Sequence, residues 1–135
     1  MFGKKNKNNQ AGILIGALLI HASKIDENYT DIEKKIIKKA LSDLYSISLA
    51  EADILLIEAE KKEQESNQII EFTKEIKKNS MEFRIKIIEI LWKIVYSDGT
   101  NDTYESNLIR RVCGLLYVSD RESGKIKQKL EKLIK

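Results

Sequence analysis

The sequence predicts an all-α fold, a single domain of about seven helices, and three observations carry that reading. The 135 residues hold no proline and only six glycines among abundant Lys, Glu, Ile and Leu, a mixture that favours helix over sheet. Apolar residues recur at three- and four-residue intervals along most of the chain, as amphipathic helices require. At five places Ser, Thr, Asn or Asp stands three residues ahead of Glu, the pattern in which a side chain caps the first turn and the glutamate reaches back to the cap. A chain of this size buries roughly two-thirds of its unfolded surface, enough for one core.

Each element follows in order. A first helix is expected over residues 11–24, where AGILIGALLIHA holds Gly12 and Gly16 four apart, a spacing suited to close approach of a neighbouring helix. The second, 31–45, turns Ile36, Ile37, Ala40, Leu41 and Leu44 to one side, and the third, 49–62, carries ILLI at 54–57. KKEQESNQ then reads as a polar turn or frayed end, before a fourth helix over 68–78 with Ile69, Phe72 and Ile76 inward. The fifth, 81–97, holds Phe83, Ile87, Ile88, Leu91, Trp92, Ile94 and Val95. Its wide apolar arc marks it as the central, most enclosed helix. The sixth, 103–117, repeats Leu108, Ile109, Val112, Leu115 and Leu116, and the last, 120–135, is expected to bury Ile126, Leu130, Leu133 and Ile134. Thr30 with Glu33, Ser48 with Glu51 and Ser119 with Glu122 form the capping pairs; Asn79 with Glu82 and Asp102 with Glu105 are close variants.

Composition narrows the class. Hydrophobic residues at 42% with charged residues at 33% read as a soluble globular chain. The single cysteine, Cys113, excludes an internal disulfide framework and fits a cytoplasmic location. A net charge of only +3 argues against a dedicated nucleic-acid binder. Eight basic residues stand against three acidic ones over 106–135, which reads as solvated helix surface. At the N-terminus a basic start precedes an apolar run, as in a signal peptide. That run has 12 residues, where a bilayer span needs about 20. The expectation is therefore no membrane span, a disordered basic tail over 1–10 and one helical domain over 11–135.

The chain also repeats itself. DENYTDIE at 26–33 is echoed by DGTNDTYE at 98–105, an offset of 72. The offset holds upstream, where Leu18, Leu19 and Ala22 match Ile90, Leu91 and Ile94, and downstream, where Ile36, Ile37, Leu44 and Tyr45 match Leu108, Ile109, Leu116 and Tyr117. Two helix hairpins related by an approximate two-fold axis are expected. A helix ending in Asp-Gly followed by one opening Asp-x-x-Glu, twice at this separation, resembles the TerB-like tellurite-resistance family. The same module forms the N-terminal domain of a membrane-anchored J-domain co-chaperone. The likeness runs roughly from Gly12 to Lys132. Asp98, Gly99, Asp102 and Glu105 fit its second motif, with Asn101 in place of the usual aliphatic residue. Asp26, Thr30 and Glu33 fit the first, with Glu27 in place of the glycine. The resemblance implies an all-helical, stress-associated domain.

Two readings of the acidic segments stay open. In one, every residue has a structural job. Asp98 accepts from loop amides, Gly99 supplies the left-handed turn, and Asp102 and Glu105 cap the next helix. In the other, Asp98, Asp102 and Glu105, with Asp26 and Glu33, ligate a divalent cation such as calcium through hard oxygen donors. The spacing is not that of an EF-hand. No other cofactor is suggested. His21, the one histidine, lacks the partners of a zinc cluster or a catalytic triad. No CxxC, GxSxG, P-loop or HExxH occurs, so no catalysis is expected. Lys34, Lys35 and Lys38 read as the outer side of the second helix, and Arg110 and Arg111 occupy the matching place in the repeat. They are the candidate docking surface for a protein partner, with the chain itself a monomer or weak homodimer.

Overall fold

The computed structural model describes residues 6–24, 29–66, 68–97 and 103–134, with the side chains of 6–9, 103–106 and 134 outside the description. Its elements are α1 (Asn6–Ser23), α2 (Asp31–Tyr45), α3 (Leu49–Glu65), α4 (Ile69–Ile76), α5 (Met81–Ser97), α6 (Thr103–Leu116) and α7 (Asp120–Ile134). The all-α reading holds, and the described residues contain no strand.

The central helix is α1, which corrects the expectation for α5. From Leu14 to Ile20 every residue of α1 is buried, and the helix packs against α2, α3, α4 and α5. A helix that is apolar all round must be enclosed. The arc on α5 is wide but one-sided, and Lys86 and Lys93 on its other side meet water. The helix also starts at Asn6, so residues 6–10, expected as tail, extend α1 by more than a turn ahead of the apolar run. Gly12 and Gly16 do bring a neighbour close. A methyl on Gly16 would lie 2.7 Å from the Ala59 Cβ, and one on Gly12 would lie 3.1 Å from a Leu55 methyl.

Caps fix several boundaries. Thr30 with Glu33 and Ser48 with Glu51 form complete capping boxes. Glu122 N–H donates to Ser119 Oγ at 3.1 Å. The cap of α5, however, is Ser80, whose Oγ accepts from Phe83 N–H. Asn79 belongs to the preceding helix end, its amide donating to the carbonyls of Glu75 and Ile76. The α2–α3 and α6–α7 turns share a design. Ser46 (φ 52°) and Tyr117 (φ 58°) are left-handed. Ile47 N–H returns to Ser42 C=O and Val118 N–H to Cys113 C=O, closing each helix end, and a serine cap follows in both.

Trp92 is buried between α5 and α7, with Nε1–H donating to Ser123 Oγ at 3.0 Å. Leu133 departs from expectation and is 75% exposed. Glu131 on α7 already accepts from Tyr96 O–H, one residue before α5 ends, so Leu133 lies beyond the surface that would cover it.

Candidate functional site

The end of α1, the start of α2 and the middle of α3 converge on Tyr29. Its O–H donates to Glu60 Oε2 at 2.9 Å. Lys34 Nζ and Lys24 Nζ lie 4.9 and 5.8 Å from its ring centre, within reach of the attraction between a cation and an aromatic face. Burial, then the bond to Glu60 and the nearby Glu33 and Glu63 charges, push the phenol far above its ordinary value. One turn along α3, Glu63 accepts from Lys24 Nζ at 2.8 Å and lies 3.4 Å from His21 Nδ1. Beside them Glu33, only 2% exposed, accepts from Thr30 N–H at 2.8 Å, while Glu33 N–H donates to Thr30 Oγ1 at 3.2 Å. These carboxylates therefore hold amides, a phenol and lysines. Among the described residues no three His, Cys, Asp or Glu side chains are grouped so as to hold a metal ion. Asp26, Asp98 and Asp102 lie outside the described residues, as does the side chain of Glu105.

The lysines of α2 divide into two sets, which corrects the single outer row expected from sequence. Lys34 and Lys38 lean onto α3, with Nζ 3.9 Å from Glu60 and 3.9 Å from Asp53. Lys35 and Lys39 stand outward, at the rim of a groove between α2 and α5 of about 570 Å³. Its floor is an every-fourth-residue column of α2, formed by Ile32, Ile36, Ala40 and Leu44, faced by Phe83 and Ile90 of α5. Lys86 and Lys93 line the α5 rim, together with Glu89, while Asp43 joins the α2 side. Arg110 and Arg111 are exposed on α6 and do not line this groove. Sequence reasoning misses the role of Phe83, Lys86 and Lys93. The i, i+7 spacing of Lys86 and Lys93 is the available signal, but only the pairing of α2 with α5 gives it a meaning.

The family model for the tellurite resistance protein TerB matches residues 13–128. The chain belongs to the TerB family. The match spans from within α1 to within α7, both acidic segments and the whole α2–α5 groove. It identifies a tellurite-resistance-type domain, in line with the repeated motif. No curated protein and no solved structure matches the chain. No helix among the described residues of this TerB-family domain is long and apolar enough to cross a membrane.

Proposed function

We propose that this TerB-family domain is a non-catalytic accessory module of a tellurite-type stress response, working by docking another polypeptide. The observation that carries the reading is the groove between α2 and α5. A trough floored by aliphatic side chains and edged by lysines on both sides suits an amphipathic helix laid along it. Lys35 acts from this groove, whereas Lys34 and Lys38 tie α2 to α3.

The test is complementation. In cells lacking their own copy, the wild-type chain is expected to restore growth on tellurite. A groove variant, Ile36→Asp with Lys86→Glu, expressed to the same level, is expected not to. Full protection by the variant would sink the docking role of the groove.

A second reading is cation binding by the two acidic segments, favoured by their repetition of Asp and Glu seven residues apart, Asp26 with Glu33 and Asp98 with Glu105. Calorimetric titration with calcium tests it. A saturable, stoichiometric response lost in Glu105→Gln supports the site; a flat titration leaves Glu33 and Glu105 as helix caps.

A further inference from the structure

The large apolar side chains that this domain exposes are concentrated on three neighbouring helices. Among the described residues eight are exposed, and five of them, Ile32, Leu49, Ile54, Ile57 and Met81, belong to α2, α3 and α5. These three helices form one layer: α2 packs against both α3 and α5, and α1 lies against all three. The layer presents two different surfaces, one on either side of α2.

On the α5 side is the groove. Lys39 is held by Asp43 at 3.1 Å and Lys93 by Glu89 at 3.7 Å. Lys35 and Lys86 have no ion-pair partner among the described residues. On the far side is the outward stripe of α3, where Ile54 and Ile57 are 53% and 48% exposed. Asp53 and Glu58 flank them, and Lys61 closes the end of the stripe. The ion pairs these acids make at home are at the limit of contact, 3.9 Å from Asp53 to Lys38 and 4.0 Å from Glu58 to Lys61. Exposed pairs of this kind contribute little and exchange readily. The chain thus carries both an aliphatic trough with two uncommitted lysines and an aliphatic ridge with two weakly committed carboxylates.

We propose that the groove receives the α3 ridge of a second copy of this chain. The inference rests on the docking role given to the groove above and names its occupant. A two-fold axis running just outside α2 and roughly parallel to it carries the α3 of each copy over the α2–α5 groove of the other. The contact is then used twice and closes as a dimer rather than a filament. Ile54 and Ile57 enter between the α2 column and Phe83, and Asp53 and Glu58 meet Lys35 and Lys86. Dry aliphatic contact supplies the attraction, and the charges set register.

The experiment is analytical ultracentrifugation of the whole chain from micromolar to near-millimolar concentration, at low and high salt. Wild type is expected to pass from monomer to dimer, with the dimer weakened by salt. Two charge-swapped variants follow, Lys35→Glu with Lys86→Glu, and Asp53→Lys with Glu58→Lys. Each alone is expected to dimerise about tenfold or more weakly, because like charges then face each other at both contacts. Mixed in equal amounts they are expected to form a heterodimer, since one contact joins the two swapped surfaces and the other joins the two native ones. A wild type that stays monomeric throughout overturns the proposal without drawing on any variant. So does self-association unchanged in both variants, or a mixture that fails to associate. If wild type is monomeric while the groove variant still loses tellurite protection, the groove serves another partner and the self-docking inference falls alone.

Discussion

Two helix contacts in this domain are built in opposite ways. Between α1 and α3 the surfaces meet with nothing to spare, because Gly12 and Gly16 leave only backbone opposite Leu55 and Ala59. Between α2 and α5 about 570 Å³ is left open. Both contacts have small residues at the crossing, glycines in one and Ala40 in the other. The edges differ. Beside Gly12 the α1–α3 contact meets the Tyr45 ring, whereas the α2–α5 contact is edged by lysines, whose stems pack on apolar side chains while their ammonium groups stay in water. The openness of the second contact is therefore a local property of its side chains. It does not signal a loose fold, since the core directly beneath, at Ile37, Leu41, Ile87 and Leu91, is fully buried.

The comparison breaks most visibly at the closed contact. Leu55→Ala, which empties a buried position against Gly12, is expected to cost about 2–5 kcal/mol, measured by urea unfolding; a loss under about 1 kcal/mol would place Leu55 outside the core. Gly16→Ala comes next. Alanine normally improves a helix interior by about 0.5–1 kcal/mol over glycine, but here the new methyl must displace Ala59. A net loss of about 1–3 kcal/mol is expected, reduced when Ala59→Gly is added. Gly124→Ala on α7, where a Cβ meets nothing within 4 Å, is the control and is expected to stabilise.

Tyr45 sharpens the contrast through pH. Burial pushes its phenol up to about 12, against about 10 for an unfolded tyrosine. Between these values the unfolded chain binds fewer protons than the folded one, so stability is complete below about pH 10 and falls as pH rises towards 12. Tyr96, also pushed up to about 12 by burial and Glu131, acts in the same direction. Denaturant midpoints across this range are expected to decline less in Tyr45→Phe than in wild type; equal declines would remove Tyr45 as a cause. The smallest effect belongs to the open contact. Lys35→Glu with Lys86→Glu is expected to change unfolding stability by no more than about 0.5 kcal/mol, and a larger loss would show these lysines bracing the fold.

Local grammar explains what is legible in the sequence. The boundaries of α2 and α5 and the boxes at Thr30 and Ser48 depend on neighbours within one turn, and all are visible in the string. Asn79 has the spacing of a cap because it stands three residues before Glu82, yet Ser80 adjoins the helix and Asn79 serves the helix before it. Tertiary facts are less accessible. The width of an apolar arc does not reveal that α1, rather than α5, lies in the middle. The run ILLI does not show that its outer isoleucines face away from α1. The lysines of KKIIKK are visible as a cluster, but which lean on α3 and which edge a groove depends on helices far apart in the chain. The tie from Tyr29 to Glu60 spans 31 residues, and no periodicity encodes it.

One arrangement around Tyr29 bears on how the chain can be rebuilt. The backbone leaves α1 at Lys24 and returns at Tyr29, and the side chains at these two points are held by Glu63 and Glu60 of α3, carboxylates one helical turn apart. The two ends of the intervening stretch are thus fixed from below, independently of what joins them. A peptide tag or a short reporter spliced between Glu27 and Asn28 should leave the helices assembled. The graft also separates Asp26 from Glu33 while leaving the Thr30–Glu33 cap intact, so a calcium titration of the grafted chain tells the two readings of the first acidic segment apart.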